Sequence, residues 1–152
     1  MKLLKLFMIA AIAMFAVACE KNTDEDDPIK IENGTYIGTL SVDQNNGSFY
    51  TQENVSIVLE LDESSATIKM QQVSFSSGMP VKLDMTIPNV VTASQTEGLS
   101  LSGNNIIPLA MGGEFPAYTI TSLTGNVTKQ SISFVMICGE FPLSFSGIIA
   151  EK

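Results

Sequence analysis

From residue 34 onward, apolar and polar residues alternate along most of the chain. Val55, Ile57, Leu59 and Leu61 are separated by mostly polar residues, and the same period of two recurs over 132–138 and 143–149. In a β-strand, successive side chains point to opposite faces, so a period of two indicates strands with one face towards a core. We find no helical periodicity in this part of the chain.

Turn-forming residues divide this pattern at short intervals. They predict strands near 35–42, 55–62, 66–75, 82–91, 118–128, 131–138 and 143–150, while residues 99–111 form either one kinked strand or two. The first loop is predicted to span Asp43–Gln52, and residues 94–98 are predicted to form a polar loop. Eight or nine strands joined by short loops predict an all-β fold, an antiparallel up-and-down meander that closes into a barrel.

The alternation changes phase in two places. Ala66, Ile68 and Met70 share one face, whereas Val73 and Phe75 fall on the other, and a similar change separates Ile120 from Leu123. A β-bulge inserts one extra residue and so restores the inward phase. We therefore predict one bulge at Gln71-Gln72 and another near Thr121-Ser122, which would help the sheet to curl.

The N-terminal residues have the pattern of an export signal. Two lysines precede an uninterrupted apolar run over 6–17, which is short for a membrane span and typical of a secretory signal. Ala16-Val17-Ala18-Cys19 resembles the lipobox of bacterial lipoproteins, in which the cysteine becomes the first mature residue and carries the lipid. We expect a signal peptide over 1–18 and lipidation at Cys19; a free or disulfide-bonded Cys19 in a secreted chain is the alternative.

Acidic residues dominate the segment that follows Cys19. Five of them lie within 20–27 and no apolar pattern accompanies them, so residues 19–33 are predicted to form an extended tether before a barrel domain over 34–152. Removal of the signal, with Lys2 and Lys5, would change the formal net charge from −8 to −10. Such a charge repels nucleic acid, which we exclude as a partner.

An ordered set of short motifs carries a family resemblance. It comprises Gly34-Thr35-Tyr36-Ile37-Gly38-Thr39-Leu40, Glu53-Asn54-Val55, Phe75-Ser76-Ser77-Gly78-Met79-Pro80-Val81, Ile87-Pro88-Asn89-Val90, Leu123-Thr124-Gly125-Asn126-Val127 and Phe145-Ser146-Gly147. Together these resemble the calycin-like, lipocalin-type lipoprotein domains of Bacteroidetes. The resemblance implies a lipocalin-like barrel and no particular activity. Where lipocalins begin their first strand with Gly-x-Trp, this chain has Tyr36. The acidic run after Cys19 also resembles the export signal of surface lipoproteins in Bacteroidetes.

Few catalytic arrangements are open to this composition. The chain has no histidine, which excludes Ser-His-Asp and Cys-His mechanisms and His-based zinc sites. Cys138 lies in phase with Ile132, Phe134 and Met136, so we predict a buried apolar thiol. We therefore expect neither an enzyme nor a cofactor or metal site; an enzyme that uses carboxylates alone, such as Glu114 and Glu140, is the alternative.

Two sets of residues are candidate binding positions. The first consists of inward-facing side chains that would line an apolar pocket or pack a solid core: Leu59, Ile68, Met70, Phe75, Met85, Phe134, Met136 and Phe145. The second comes from a repeat, because Gly113-Glu114-Phe115-Pro116 recurs as Gly139-Glu140-Phe141-Pro142. Two strands separate the copies, which would place Glu114, Phe115, Glu140 and Phe141 at one end of the barrel; two turns of the same chemistry are the alternative.

These observations favour a membrane-anchored lipoprotein of the outer membrane, exposed at the cell surface or facing the periplasm. Its barrel would bind a small apolar or amphipathic ligand. The alternative is a solid module whose loops or outer face contact a protein or a glycan, for which Phe49 and Tyr50 are candidates. An eight-stranded barrel can be either filled or hollow, so the pattern alone leaves both open.

Overall fold

A computed structural model describes residues 30–150, and the predicted signal peptide, Cys19 and most of the tether lie outside this range. Ten strands follow one another: β1 (Gly34–Asp43), β2 (Phe49–Leu61), β3 (Ser65–Val73), β4 (Leu83–Gln95), β5 (Gly98–Gly103), β6 (Leu109–Ala110), β7 (Gly113–Glu114), β8 (Ile120–Val127), β9 (Ser131–Cys138) and β10 (Phe141–Ile149). A 3-10 helix over Pro116–Tyr118 precedes β8. In the described range no helix is long and apolar enough to span a bilayer.

Eight of these strands form a closed barrel. Each pairs with its predecessor in the order β1, β2, β3, β4, β5, β8, β9 and β10, and β10 pairs with β1 to close the ring; every pairing is antiparallel. The predicted up-and-down meander is confirmed, and it is a lipocalin-like barrel. Closure satisfies the backbone groups that an open hydrophobic sheet would leave exposed at its edges.

β6 and β7 form a small hairpin outside the ring. β6 pairs with β4 through Ala110 and Leu109, and β7 pairs only with β6. Residues 99–111 therefore contain two strands, of which only β5 belongs to the barrel. Such short strands exist because β4 offers them a free edge, and no local periodicity predicts them.

Bulges bend the barrel wall at four places, and each contains a residue with positive φ. The register changes around Asn54, Gln72, Asn89 and Ser122, whose φ angles are 53–59°. The bulges predicted at Gln71-Gln72 and Thr121-Ser122 are confirmed. The other two went unpredicted, although asparagine within a strand, a residue that tolerates the left-handed region, is a usable signal for them.

Several predicted boundaries are wrong at their ends. β2 begins at Phe49, so the first loop is only Gln44–Ser48 and both Phe49 and Tyr50 belong to a strand that pairs with Val42 and Asp43. The bulge at Asn54 interrupts the alternation and thereby hides this first half of β2. β4 and β5 are joined by a two-residue turn at 96–97 instead of the predicted loop over 94–98, and β8 begins at Ile120 because the 3-10 helix ends at Tyr118.

One continuous hydrophobic core fills the barrel. It includes residues from every strand of the ring, from Ile31 to Phe145. Neighbouring strands approach very closely at Gly98 and Gly125, where an added Cβ would collide with the carbonyl oxygens of Val127 and Ser133 respectively. Glycine at these positions permits the tight packing of β5, β8 and β9.

Candidate functional site

The candidate interior residues all face the core and are packed. Their exposed fractions are at most 3%: Leu59, Ile68, Met70, Phe75, Met85, Phe134, Met136 and Phe145. A side chain that lines a water-sized cavity keeps accessible surface on that cavity, and these side chains have almost none. Phe134 and Phe145 stack with their ring centroids 5.5 Å apart. The described interior is thus filled by side chains, as small eight-stranded barrels can be. Ligand contact by these residues stays a prediction.

The two copies of the Gly-Glu-Phe-Pro repeat lie at the same end of the barrel. The backbone N–H of Gly139 donates to the carbonyl of Thr119 over 3.0 Å, which joins the turn after β9 to the segment that follows β7. Gly139 has φ +62°, and a Cβ there would collide with the carbonyl oxygen of Ala117. Turn chemistry therefore explains the glycine of the second copy.

The phenylalanines of the repeat belong to an aromatic cap over this end. Tyr118 lies between Phe75 and Phe115, with ring centroids 5.0 Å from each, and Phe141 stacks on Phe75 at 6.4 Å. Phe115 and Phe141 are half-buried, whereas Glu114 and Glu140 are exposed. The repeat thus contributes its aromatic residues to closing the barrel and its carboxylates to the surface.

The loop between β3 and β4 is held down over the same end. Gln44 Nε2 donates to the Phe75 carbonyl over 2.8 Å, and the N–H of buried Ser74 donates to Gln52 Oε1 over 3.0 Å. The N–H of Phe75 also points at Met79 Sδ, 3.1 Å away. These bonds keep Phe75 inserted as the centre of the cap. Sequence patterns miss this arrangement because its partners come from three separate segments.

The opposite end of the barrel receives the chain from the predicted tether. Residues 30–33 lead into β1 there; Asn33 Oδ1 accepts from the N–H of Leu61 over 2.7 Å, and Ile31 and Tyr36 are buried. Burial raises the pKa of Tyr36. We call this the tether end. The aromatic cap and the exposed Glu114 and Glu140 consequently lie at the end away from it.

Cys138 lies within the core and is a free thiol. Its Sγ is 3.7 Å from the carbonyl of Tyr118, and burial raises the pKa of the thiol to about 12. A protonated, enclosed thiol is a poor nucleophile. This agrees with the predicted buried apolar cysteine.

The stability of the barrel should depend on the protonation of Cys138. The thiol ionises near pH 9 in the unfolded chain and near pH 12 when folded. Between these values the folded state holds one more proton, so the free energy of unfolding should fall as pH rises, by about 1.4 kcal/mol per pH unit. Denaturant titrations under reducing conditions give the free energy of unfolding at each pH. Between pH 9 and pH 12 this free energy should fall more steeply in the parent protein than in Cys138→Ala, and the difference between the two slopes should be the value given above. A pH-independent difference between the two proteins would contradict it.

Four of the depressions on the described surface lie on the outside of the barrel wall or at its tether end. One of about 560 Å³ lies beside the β6–β7 hairpin, and two of about 350 and 530 Å³ adjoin on the wall formed by β8, β9, β10 and β1. A fourth of about 440 Å³ lies at the tether end beside residues 30–33 and Lys129. Among the described residues, no group of three or more cysteine or carboxylate side chains gathers that could hold a metal ion.

Comparisons with protein-family models, curated proteins and solved structures find no significant match. The class of protein is therefore defined by the fold itself. It is a closed, eight-stranded, up-and-down β-barrel of the lipocalin-like type, with a packed interior and an aromatic cap at the end away from the tether.

Proposed function

We propose that this protein is a membrane-anchored lipoprotein whose solid barrel acts through its outer surface. The observation that supports this most directly is the packed interior, in which Leu59, Ile68 and Met70 have no accessible surface. A ligand inside the barrel would have to displace these side chains. Recognition of a protein or a glycan by the outside of the barrel requires no such rearrangement. The packed interior therefore favours a solid module that acts through its surface over a barrel that binds a ligand inside.

The end at which the chain enters the barrel supports a role in which the capped end is displayed away from the membrane. If Cys19 carries lipid, the tether joins the membrane to the barrel at residues 30–33, and the capped end with Glu114 and Glu140 points away from the bilayer. An acidic, self-repelling tether holds the domain off the surface. We assign no catalytic activity to the protein, and its anchor belongs to the outer membrane, facing either the cell exterior or the periplasm.

Native mass spectrometry of residues 20–152 tests the solid barrel. This segment contains the whole core of the described residues, so it is expected to fold without Cys19. We expect the bare polypeptide mass after gentle purification, and the same mass after incubation with fatty acids and other apolar metabolites. A discrete added mass that is released on denaturation would contradict the solid module and would favour an internal apolar ligand.

A further inference from the structure

The wall formed by β8, β9, β10 and β1 is unusual for the surface of so acidic a chain. Among the residues of these four strands, Asp43 is the only one that carries a charge. A typical protein surface has roughly a quarter to a third of its residues charged. The outward positions of this wall instead carry hydroxyl and apolar side chains.

An apolar groove of about 350 Å³ occupies the half of this wall nearest the cap. Phe49, Val135, Ile137 and Pro142 line it together with Asp43 and small serines. Phe49 is 67% exposed and Val135 is 49% exposed. Large apolar side chains that gather around a surface depression mark an interaction site far more often than single exposed ones do.

A second depression continues the groove towards the tether end. It measures about 530 Å³, shares Ser41, Val135 and Ser144 with the first, and is otherwise lined largely by hydroxyl and amide side chains such as Thr39 and Asn126. These groups can donate hydrogen bonds to a peptide backbone and accept them from it. The combined surface is long and open, which suits an extended chain better than an enclosed small molecule.

The charged groups at the cap end of the groove are acidic. The backbone N–H of Asn45 donates to Asp43 Oδ1 over 2.8 Å, and Asn45 Nδ2 donates to the carbonyl of Glu140 over 2.7 Å. One asparagine thus brings two carboxylate-bearing residues to the same corner. No lysine lies on the four strands. A cationic group of a partner is therefore the electrostatic complement of Asp43 and Glu140.

We propose that this groove binds an extended cationic amphipathic segment of a partner polypeptide. Its apolar side chains would pack against Phe49 and Val135, its backbone would bond to the hydroxyl side chains, and its Lys or Arg would face Asp43 and Glu140. A second copy of this chain, or an anionic bilayer, carries the wrong charge for this corner. The inference rests on the proposed function as an outward-acting module and names the partner chemistry for it.

Fluorescence anisotropy with labelled model peptides and residues 20–152 tests this proposal. A Lys-Leu alternating peptide should bind, a Glu-Leu peptide should not, and a Lys-Ser peptide should bind at least about tenfold more weakly. Phe49→Ser should weaken Lys-Leu binding about tenfold. The pair Asp43→Asn and Glu140→Gln should reduce both the affinity and its dependence on salt. Asparagine at 43 can still accept the bond from Asn45.

Matched controls lie elsewhere on the barrel. Val91→Ser removes an exposed β-branched side chain from β4, and Glu97→Gln removes a carboxylate at the tether end; both should leave Lys-Leu binding unchanged. Circular dichroism should show that every variant is folded.

Equal binding by all variants would overturn the proposal. Binding of the Glu-Leu peptide, of anionic vesicles or of neutral oligosaccharides in place of the Lys-Leu peptide would overturn it as well. A bare native mass with no peptide binding would overturn this inference alone, whereas a carried apolar ligand would overturn the proposed function.

Discussion

Replacing Phe134 by alanine is expected to lower the free energy of unfolding by about 3–5 kcal/mol. Phe134 is buried and stacks on Phe145, so its removal leaves a void among side chains that have almost no accessible surface of their own. A packed core relaxes only partly around such a void, and the lost contacts add to the lost transfer free energy. Urea unfolding followed by circular dichroism measures this difference.

The neighbouring residue supplies a matched control for this prediction. Val135 lies on the opposite face of β9 and is half exposed, so Val135→Ala should change the free energy of unfolding by no more than about 0.5 kcal/mol. The void in Phe134→Ala should also admit a small apolar probe such as benzene, which the parent protein should not bind. A loss below about 1 kcal/mol for Phe134→Ala would mean that the interior already contains space, contrary to the packed barrel.

The alternation of apolar and polar residues predicts the barrel because most of the sheet is regular. β9 keeps a strict period of two over Ser131–Cys138, and its predicted and observed boundaries coincide. The phase changes around Gln72 and Ser122 predicted bulges because apolar residues lie on both sides of them. A bulge shows in the sequence only where apolar residues on its two sides fall on opposite faces. The residues before Asn54 are mainly polar, so the sequence gives no sign of the bulge there.

Other features depend on contacts between distant segments, which no local pattern contains. Alternation indicates which side of a strand faces inward, but whether the interior is filled depends on the summed volumes of side chains from all eight strands. The repeat predicted that Phe115 and Phe141 lie at one end. That both join a cap with Phe75 and Tyr118 follows only from how three separate chain segments meet there.

The same limit applies to the groove on the outer wall. The sequence pattern predicts Phe49 in a loop, since the bulge at Asn54 separates it from the recognisable part of β2. Once β2 is extended, Phe49 lies opposite Asp43, and β9 and β10 bring Val135 and Pro142 to the same depression. The scarcity of charge on these four strands is visible in the sequence, but its meaning appears only when the strands are known to be neighbours.

The proposed anchor at Cys19 predicts that replacing this cysteine by serine releases the protein from the membrane. A lipobox cysteine is the attachment point of the acyl chains, and each buried methylene contributes about 0.8 kcal/mol, so several long chains hold the protein stably and their loss removes this lipid anchor. Membrane fractions washed with high salt should retain the parent protein and lose Cys19→Ser. Mass spectrometry of the parent's N-terminal peptide should show the added lipid.

Cys138→Ala is the matched control for the anchor, since it removes the only other cysteine of the chain and should stay in the membrane fraction. Retention of Cys19→Ser, or release of Cys138→Ala, would contradict anchoring through Cys19. With the anchor established, labelling of intact cells by an antibody against the capped end separates surface display from a periplasm-facing domain. Because the chain enters the barrel at the opposite end, a surface-displayed protein should expose this cap and the adjoining groove to the antibody.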